Sequence, residues 1–232
     1  MENRVGKMSI VTTPIGNLQD ITLRALETLK EADIIVAEDT RHSKRLLNHF
    51  EIKKKLISCH SYNEHHAAAG IISLIKDKHL KIAVLSDAGT PVIADPGFHI
   101  IREARNAGIE PEFIPGVSAL TFAVAASGLP ADKFSFFGFA PVKKGKRERL
   151  LLQIKEEGRT AFLFESPYRI TKLLTAVEEV VGSETEIAII REATKLHEET
   201  IRGKVSEILK AKRDSKWKGE FVIGIFPDSQ SN

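Results

Sequence analysis

At 232 residues and 42% hydrophobic, the chain can bury one large core or two modest ones. Its formal net charge of +3 permits a nucleic-acid partner without demanding one, and a single cysteine, Cys59, excludes an intramolecular disulfide. No charged and then apolar leader opens the sequence, and the longest uncharged run, Phe113 to Ala131, is too broken by Pro115, Gly116, Gly128 and Pro130 to span a membrane, so a cytoplasmic globular protein is expected.

In chain order, Met8 to Thr12 reads as a short apolar strand that runs into the turn-rich Thr13-Pro14-Ile15-Gly16-Asn17. Asp20 is the expected N-cap of a helix in which Leu23, Leu26 and Leu29 recur at helical spacing. The buried strand Ile34-Ile35-Val36-Ala37 ends directly in Glu38-Asp39-Thr40-Arg41. A helix through Leu46 and Leu47, a short strand over Leu56 to Ser58 and a helix through Ile71, Ile72 and Ile75 follow.

The organising stretch comes next, Lys81 to Gly97, KIAVLSDAGTPVIADPG. Its apolar strand breaks into Ser86-Asp87-Ala88-Gly89-Thr90-Pro91 and turns again at Asp95-Pro96-Gly97. Short side chains at Ala88 and Gly89 let backbone amides approach a ligand, while Pro91 and Pro96 stiffen the loop. An ordinary strand-to-helix connection with two turns would use the same residue types. A helix near His99 to Asn106 and a strand from Glu112 to Ile114 complete an alternation that predicts a parallel, layered α/β domain over residues 1–115.

The second half, residues 116–232, opens on Pro115-Gly116-Val117-Ser118-Ala119 and an Ala-rich helix. Phe134 to Phe139 reads as a strand, and Lys143 to Arg147 as a basic loop before a helix with Leu150, Leu151 and Ile154. Strand Ala161 to Phe164 exits into Glu165-Ser166-Pro167-Tyr168-Arg169, and a helix with Leu173, Leu174, Val177 and Val180 follows. Strand Ile187 to Ile190 exits into Arg191 to Glu199, and Thr200 to Arg202, Val205 to Ala211 and Phe221 to Phe226 read as strand, helix and strand. With no repeat and no low-complexity linker, the two α/β domains are expected to abut.

Common nucleotide and hydrolase signatures are missing: there is no G-x-G-x-x-G after the first strand, no P-loop and no G-x-S-x-G elbow. Cys59-His60 with His65-His66 gathers possible zinc ligands, but the spacing matches no common zinc pattern and Asn63 reads as a helix cap between the pairs, so no metal is expected. The run Lys143 to Arg149 suits phosphates or plain solvation, and no aromatic is interleaved there for stacking. More telling, several strands end in small or charged loops, and a parallel sheet brings such loops together within each half. Charges concentrated there suggest a site, against the alternative of a structural ion-pair network.

In order, T-P-I-G-N-L-x-D-I-T (Thr13 to Thr22), A-E-D-T-R (Ala37 to Arg41), S-D-A-G-T-P-x-I-x-D-P-G (Ser86 to Gly97), P-G-x-S-A (Pro115 to Ala119), F-E-S-P-Y-R (Phe164 to Arg169), R-E-x-T-K-x-H-E-E (Arg191 to Glu199) and K-G-E-F-V (Lys218 to Val222) resemble the ribosomal RNA small subunit methyltransferase I family. That family is a branch of the tetrapyrrole-methylase superfamily of S-adenosylmethionine-dependent methyltransferases, and the resemblance spans Met8 to Phe226. It implies two α/β domains of the class III methyltransferase type with the cofactor in a cleft between them, a homodimer, and methylation of the ribose 2′-hydroxyl of a decoding-region cytidine in 16S rRNA.

By motif position it implies that Pro14, Ala88, Gly89, Thr90, Ile93, Ser118, Ala119, Phe164, Ala193 and Phe221 border S-adenosylmethionine. A ribose hydroxyl is a poor nucleophile until its proton is taken, and Asp39, Glu165, Lys195, His197 and Glu198 are the groups to test near it. Arg41, Arg169, Lys143, Lys144, Lys146 and Arg147 suit contact with rRNA phosphates. Longer relatives continue past the strand matching Phe221 to Phe226, so rRNA binding here is expected to rest on the core. A tetrapyrrole methylase and a non-catalytic RNA-binding protein of the same fold are the competing readings.

Overall fold

The computed structural model describes residues 6–60, 64–212 and 216–227, without the side chains of 65 and 66. The chain divides into two compact units, one ending at Ser118 and the next beginning at Ala119. In the first, β1 (Lys7–Val11), β2 (Ile34–Ala37), β3 (Lys55–Ser58), β4 (Lys81–Leu85) and β5 (Glu112–Ile114) form one sheet in the order β3-β2-β4-β1-β5. Every neighbouring pair is parallel.

Helices cover both faces, which is why the central strands are apolar without alternation. Ile82 and Val84 of β4 enter a core with Ile71, Ile75 and Ile100 from α3 (Glu64–Lys76) and α4 (Phe98–Asn106). Ala83 and Leu85 face the other way, onto Ala25, Leu29 and Leu47 of α1 (Leu23–Glu31) and α2 (Thr40–His49). The chain leaves β1 toward β2 on one face and leaves β4 toward β5 on the other, so the winding reverses between β1 and β4. Ligands of open α/β sheets bind outside the strand ends at such a reversal.

Two local expectations need correction. Asp20 closes a short 3-10 turn, Leu18–Asp20, and the N-cap of α1 is Thr22, whose hydroxyl accepts from the Ala25 amide at 3.1 Å. The apolar face shifts with it: Ala25 and Leu29 are buried, whereas Leu23 is 80% exposed. A hydroxyl one residue before the helical run reaches the free amides of the first turn, and Asp20 lies too early to do so.

The second unit holds β6 (Phe134–Phe139), β7 (Thr160–Glu165), β8 (Glu186–Arg191), β9 (Glu199–Lys204) and β10 (Phe221–Phe226), in the order β6-β7-β10-β8-β9. Only β6 and β7 run parallel; the other pairs are antiparallel, which corrects the all-parallel expectation for this half. Because β10 separates β7 from β8 by two reversals, β6, β7 and β8 nevertheless end on one edge. One face packs on α6 (Lys144–Glu157), α7 (Ile170–Val180) and α8 (Val205–Ala211), the other on α5 (Ala119–Ser127). The basic segment is the first turn of α6, with Lys143 at its N-cap, and not a loop. Lys and Arg are good helix formers, and Pro141 supplies the break. Among the described residues no helix is long and apolar enough to cross a membrane.

Candidate functional site

In the first unit the loops after β1 and β4 meet at the winding reversal. Thr13 and Gly89 form an isolated antiparallel bridge, their amides donating to each other's carbonyls at 2.9 and 3.1 Å. The Thr13 hydroxyl also reaches the Ser86 and Gly89 carbonyls, and the hydroxyls of Thr12 and Thr90 lie 3.2 Å apart. The turn needs Gly89 at φ +78, where a Cβ would also come within 3.3 Å of Ile15. The loop carries more strain beyond it, because Val92 and Ala94 adopt φ of 82 and 64. A positive φ is a true outlier for β-branched Val92, and strain of this kind collects at functional loops.

The loop after β5 closes on the same edge. A Cβ at Gly116 would stand 2.8 Å from Cγ2 of buried Thr12, whose hydroxyl is engaged with Thr90. Gly116→Ala is therefore expected to lower stability by about 1–3 kcal/mol, the usual cost of overpacking, read as an earlier urea midpoint at unchanged slope.

The acids on this edge divide into two groups. Asp39 caps α2 and is clasped by Arg41, with Nε and Nη2 at 3.1 and 2.8 Å, and these hydrogen bonds hold its carboxyl well below the usual range. It makes a poor proton acceptor, and Arg41, though exposed, spends its charge locally. Asp95 and Glu38 behave oppositely. Burial first, then Glu38 and Asp87, push Asp95 up to about 6, and burial followed by Asp87 raises Glu38, with His60 partly offsetting. Glu38 and Pro96 line one small cavity of about 10 Å³, and Asp87 accepts the Asp39 amide at 3.0 Å, so the ends of β2 and β4 hold these acids together.

A buried carboxylate fixes the far end of the loop. Oε1 of Glu64 accepts from the amides of Gly97, His99 and Ile100 at 2.9, 2.8 and 3.2 Å, the free donors at the start of α4.

On the edge of the second unit most of the expected reactive groups are already paired. Glu165 is buried, with Oε1 on the Ser166 amide and 2.7 Å from Arg169 Nη2. Arg169 also donates to Ser166 Oγ and to the Ala140 carbonyl, so it stitches two loops together and is not a free phosphate ligand. Burial pulls the Lys195 pKa down, but Glu220 and Glu192, at 3.0 and 3.1 Å, outweigh it and keep the ammonium charged. Glu198 accepts from the Thr194 amide, while His197 is exposed. Strain recurs here, with Glu192 and Thr194 at φ of 50 and 66.

Among the residues expected beside a cofactor, buried Pro14 and Ala88, Gly89, Thr90 and Ile93 sit on the bridged loops of the first unit, with Ser118 at the end of its last one. In the second unit Ala119, Phe164 and Ala193 pack on the α5 side of the sheet. Phe221 does not join them: it is 3% exposed and lies in the opposite core, edge-on to Trp217 at 5.6 Å. Lys143, Lys144 and Lys146 are exposed and Arg147 half-buried on the opening turn of α6.

The sequence places Glu38 just after one apolar run and Asp95 in the loop after another, but it does not show the burial and neighbouring acids that raise both carboxyls. Among the described residues no group of three or more His, Cys, Asp or Glu can hold a metal ion. Asn63 and the side chains of His65 and His66 lie outside the described residues.

Residues 7–209 match the family described as Tetrapyrrole (Corrin/Porphyrin) Methylases. The chain is 48% identical over 94% of its length to the ribosomal RNA small subunit methyltransferase I of Thermotoga maritima, covering 97% of that protein. It is 45% identical over 96% of its length to the protein of the same name from Haemophilus influenzae, covering 79% of it. Two solved structures share the fold over 94% of both chains: uroporphyrin-III-C-methyltransferase from Thermus thermophilus (TM-score 0.65, 21% identity) and a cobalt precorrin-4 methyltransferase (TM-score 0.67, 20% identity).

Proposed function

Since this chain belongs to the tetrapyrrole (corrin/porphyrin) methylase family, and within it to the ribosomal RNA small subunit methyltransferase I group, we propose that it methylates the ribose 2′-hydroxyl of a decoding-region cytidine in 16S rRNA, using S-adenosylmethionine. The observation that carries this reading is the 48% identity over nearly the full length of both chains to a relative of that name. The solved structures named for tetrapyrrole substrates, at 20 and 21% identity, speak for the fold alone.

The residues present fit the cofactor. Gly89 leaves room and bare backbone where a side chain would crowd Ile15, Ala88 adds only a methyl, and Ile93 offers apolar surface. The acids Glu38, Asp87 and Asp95 suit a cationic sulfonium. Ala88, Gly89, Thr90 and Ile93 would hold it on the bridged loops of the first unit. When bound, S-adenosylmethionine supplies an electrophilic methyl group for in-line displacement, so orientation carries much of the catalysis.

The protein's own task is the proton. Asp95 accepts it from the ribose hydroxyl, because a carboxylate titrating near 6 is charged at cellular pH yet basic enough to take it. Asp39, Glu165 and Lys195 are committed to ion pairs and hold their neighbourhoods in shape. The protein acts in the cytoplasm as a homodimer, which light scattering checks.

The test is direct. Small ribosomal subunits from an unmodified strain are incubated with the protein and methyl-labelled S-adenosylmethionine. Label is expected in 16S rRNA, on a cytidine whose 3′ linkage then resists alkaline cleavage. Label only in an added porphyrinogen would replace this reading with tetrapyrrole methylation. Cofactor binding without turnover would leave a non-catalytic RNA-binding protein.

A further inference from the structure

One surface of the second unit has no part in the chemistry above. Tyr168, between β7 and α7, is 90% exposed, and Val142, between β6 and α6, is 72% exposed. A ring standing almost wholly in water contributes little to the fold, since stabilisation follows the apolar area removed from water. A hydrogen bond nonetheless ties the two loops to each other, and others brace one of them from within. Arg169, next to Tyr168, donates to the Ala140 carbonyl at 3.3 Å, and Arg147 donates to Val142 and Pro141 at 3.2 and 3.5 Å.

A groove of about 230 Å³ lies between α6 and α7, the helices that follow these two loops. Lys144, Arg147 and Lys172 line it together with Glu148 and Glu179, and Lys143 and Lys146 stand exposed on the same turn of α6. Lys144 is 3.6 Å from Glu148, an exposed pair that solvent weakens. The aromatic missing from the basic run in sequence is thus supplied by a residue more than twenty positions later.

An exposed ring close to a groove whose cations outnumber its acids is a pairing that single-strand nucleic-acid sites use: bases stack on the ring and the groove follows the phosphates. We infer that Tyr168 is the stacking platform for an unpaired base of the RNA substrate and that Lys144 and Lys172 of the groove hold the phosphates flanking it, with Arg147 shaping the loop beside them. The inference rests on the rRNA reading and adds to it the place where the strand is gripped.

The test compares wild type, Tyr168→Ala, Tyr168→Phe and the double variant Lys144→Ala/Lys172→Ala, by anisotropy with a labelled single-stranded RNA of about 12 nucleotides. Methyl transfer to unmodified small subunits is measured in parallel. Tyr168→Ala should weaken RNA binding by roughly 5- to 100-fold and raise KM for the subunit, with KM for S-adenosylmethionine and the salt dependence unchanged. Tyr168→Phe should stay close to wild type. The double variant should flatten the slope of log K against log salt by about 1.4, two phosphate contacts on a single strand.

If Tyr168→Ala binds RNA and turns over subunits as wild type does, the inference fails while the rRNA reading stands. Tyr168→Phe falling as far as Tyr168→Ala would likewise overturn stacking. A Tyr168→Ala protein that changes only its oligomeric state would show the surface to be a self-contact. A wild type that neither binds nor methylates RNA would remove both readings together.

Discussion

Asp95→Asn is expected to slow methyl transfer to 16S rRNA by about 10²- to 10⁴-fold, the range in which a positioned proton acceptor contributes. The carboxyl is raised from 3.8 to about 6 by burial, then by Glu38 and Asp87. As a base it works only when charged, so the wild-type single-turnover rate should climb as pH passes upward through about 6, and this limb should vanish in the Asn variant. Stability runs the other way. A carboxyl whose folded pKa exceeds its unfolded value binds its proton more tightly in the fold, so its stabilising contribution is complete below 3.8 and is lost as pH rises through about 6. Above that, wild type holds a charge in an unfavourable place, and Asp95→Asn should melt slightly higher than wild type while being nearly inactive. A gain in stability with a loss of activity is the expected trade at a site built for reaction. A folded Asp95→Asn protein with the wild-type rate and pH profile would move the proton to Glu38 or His197, and Glu38→Gln is the next variant to measure.

The second large effect concerns stability. Glu64→Ala removes the acceptor for three amides, those of Gly97, His99 and Ile100, at the buried start of α4. Each buried donor left unpaired costs about 1–3 kcal/mol, and allowing for partial rescue by water the total loss should be about 3–5 kcal/mol. Glu64→Gln keeps an acceptor but gives up the negative charge at the helix start, and should lose no more than about 2 kcal/mol. Urea unfolding of both variants at constant slope measures the difference; a loss below about 1 kcal/mol for Glu64→Ala would mean that water replaces the carboxylate fully. Because those amides end the strained loop that carries Asp95, activity in Glu64→Ala should fall at temperatures where the rest of the protein is still folded.

Much of this molecule was readable along the chain. The apolar runs Ile34 to Ala37 and Ile82 to Leu85 mark strands buried on both sides, and the Gly- and Pro-rich stretches after them mark loops, because periodicity and turn chemistry are local properties. The motif order was enough to identify the family. Three matters needed the fold. Strand direction in the second unit was one, since β10 pairs between β7 and β8 only after the chain has passed through both. The core that Phe221 joins was another, set by which face of β10 it lands on.

The third was the chemical state of the charged groups. Asp39, Glu165 and Lys195 looked reactive in one dimension, yet each is tied to a partner: Arg41, Arg169, and the pair Glu192 and Glu220. Asp95, which looked like a turn residue, is pressed against other acids. A carboxylate becomes an ion-pair partner or a base according to what lies within a few ångströms of it and how much water it has lost. Residue order determined which groups arrive at the strand ends; only the three-dimensional packing decided which of them keep a proton to exchange.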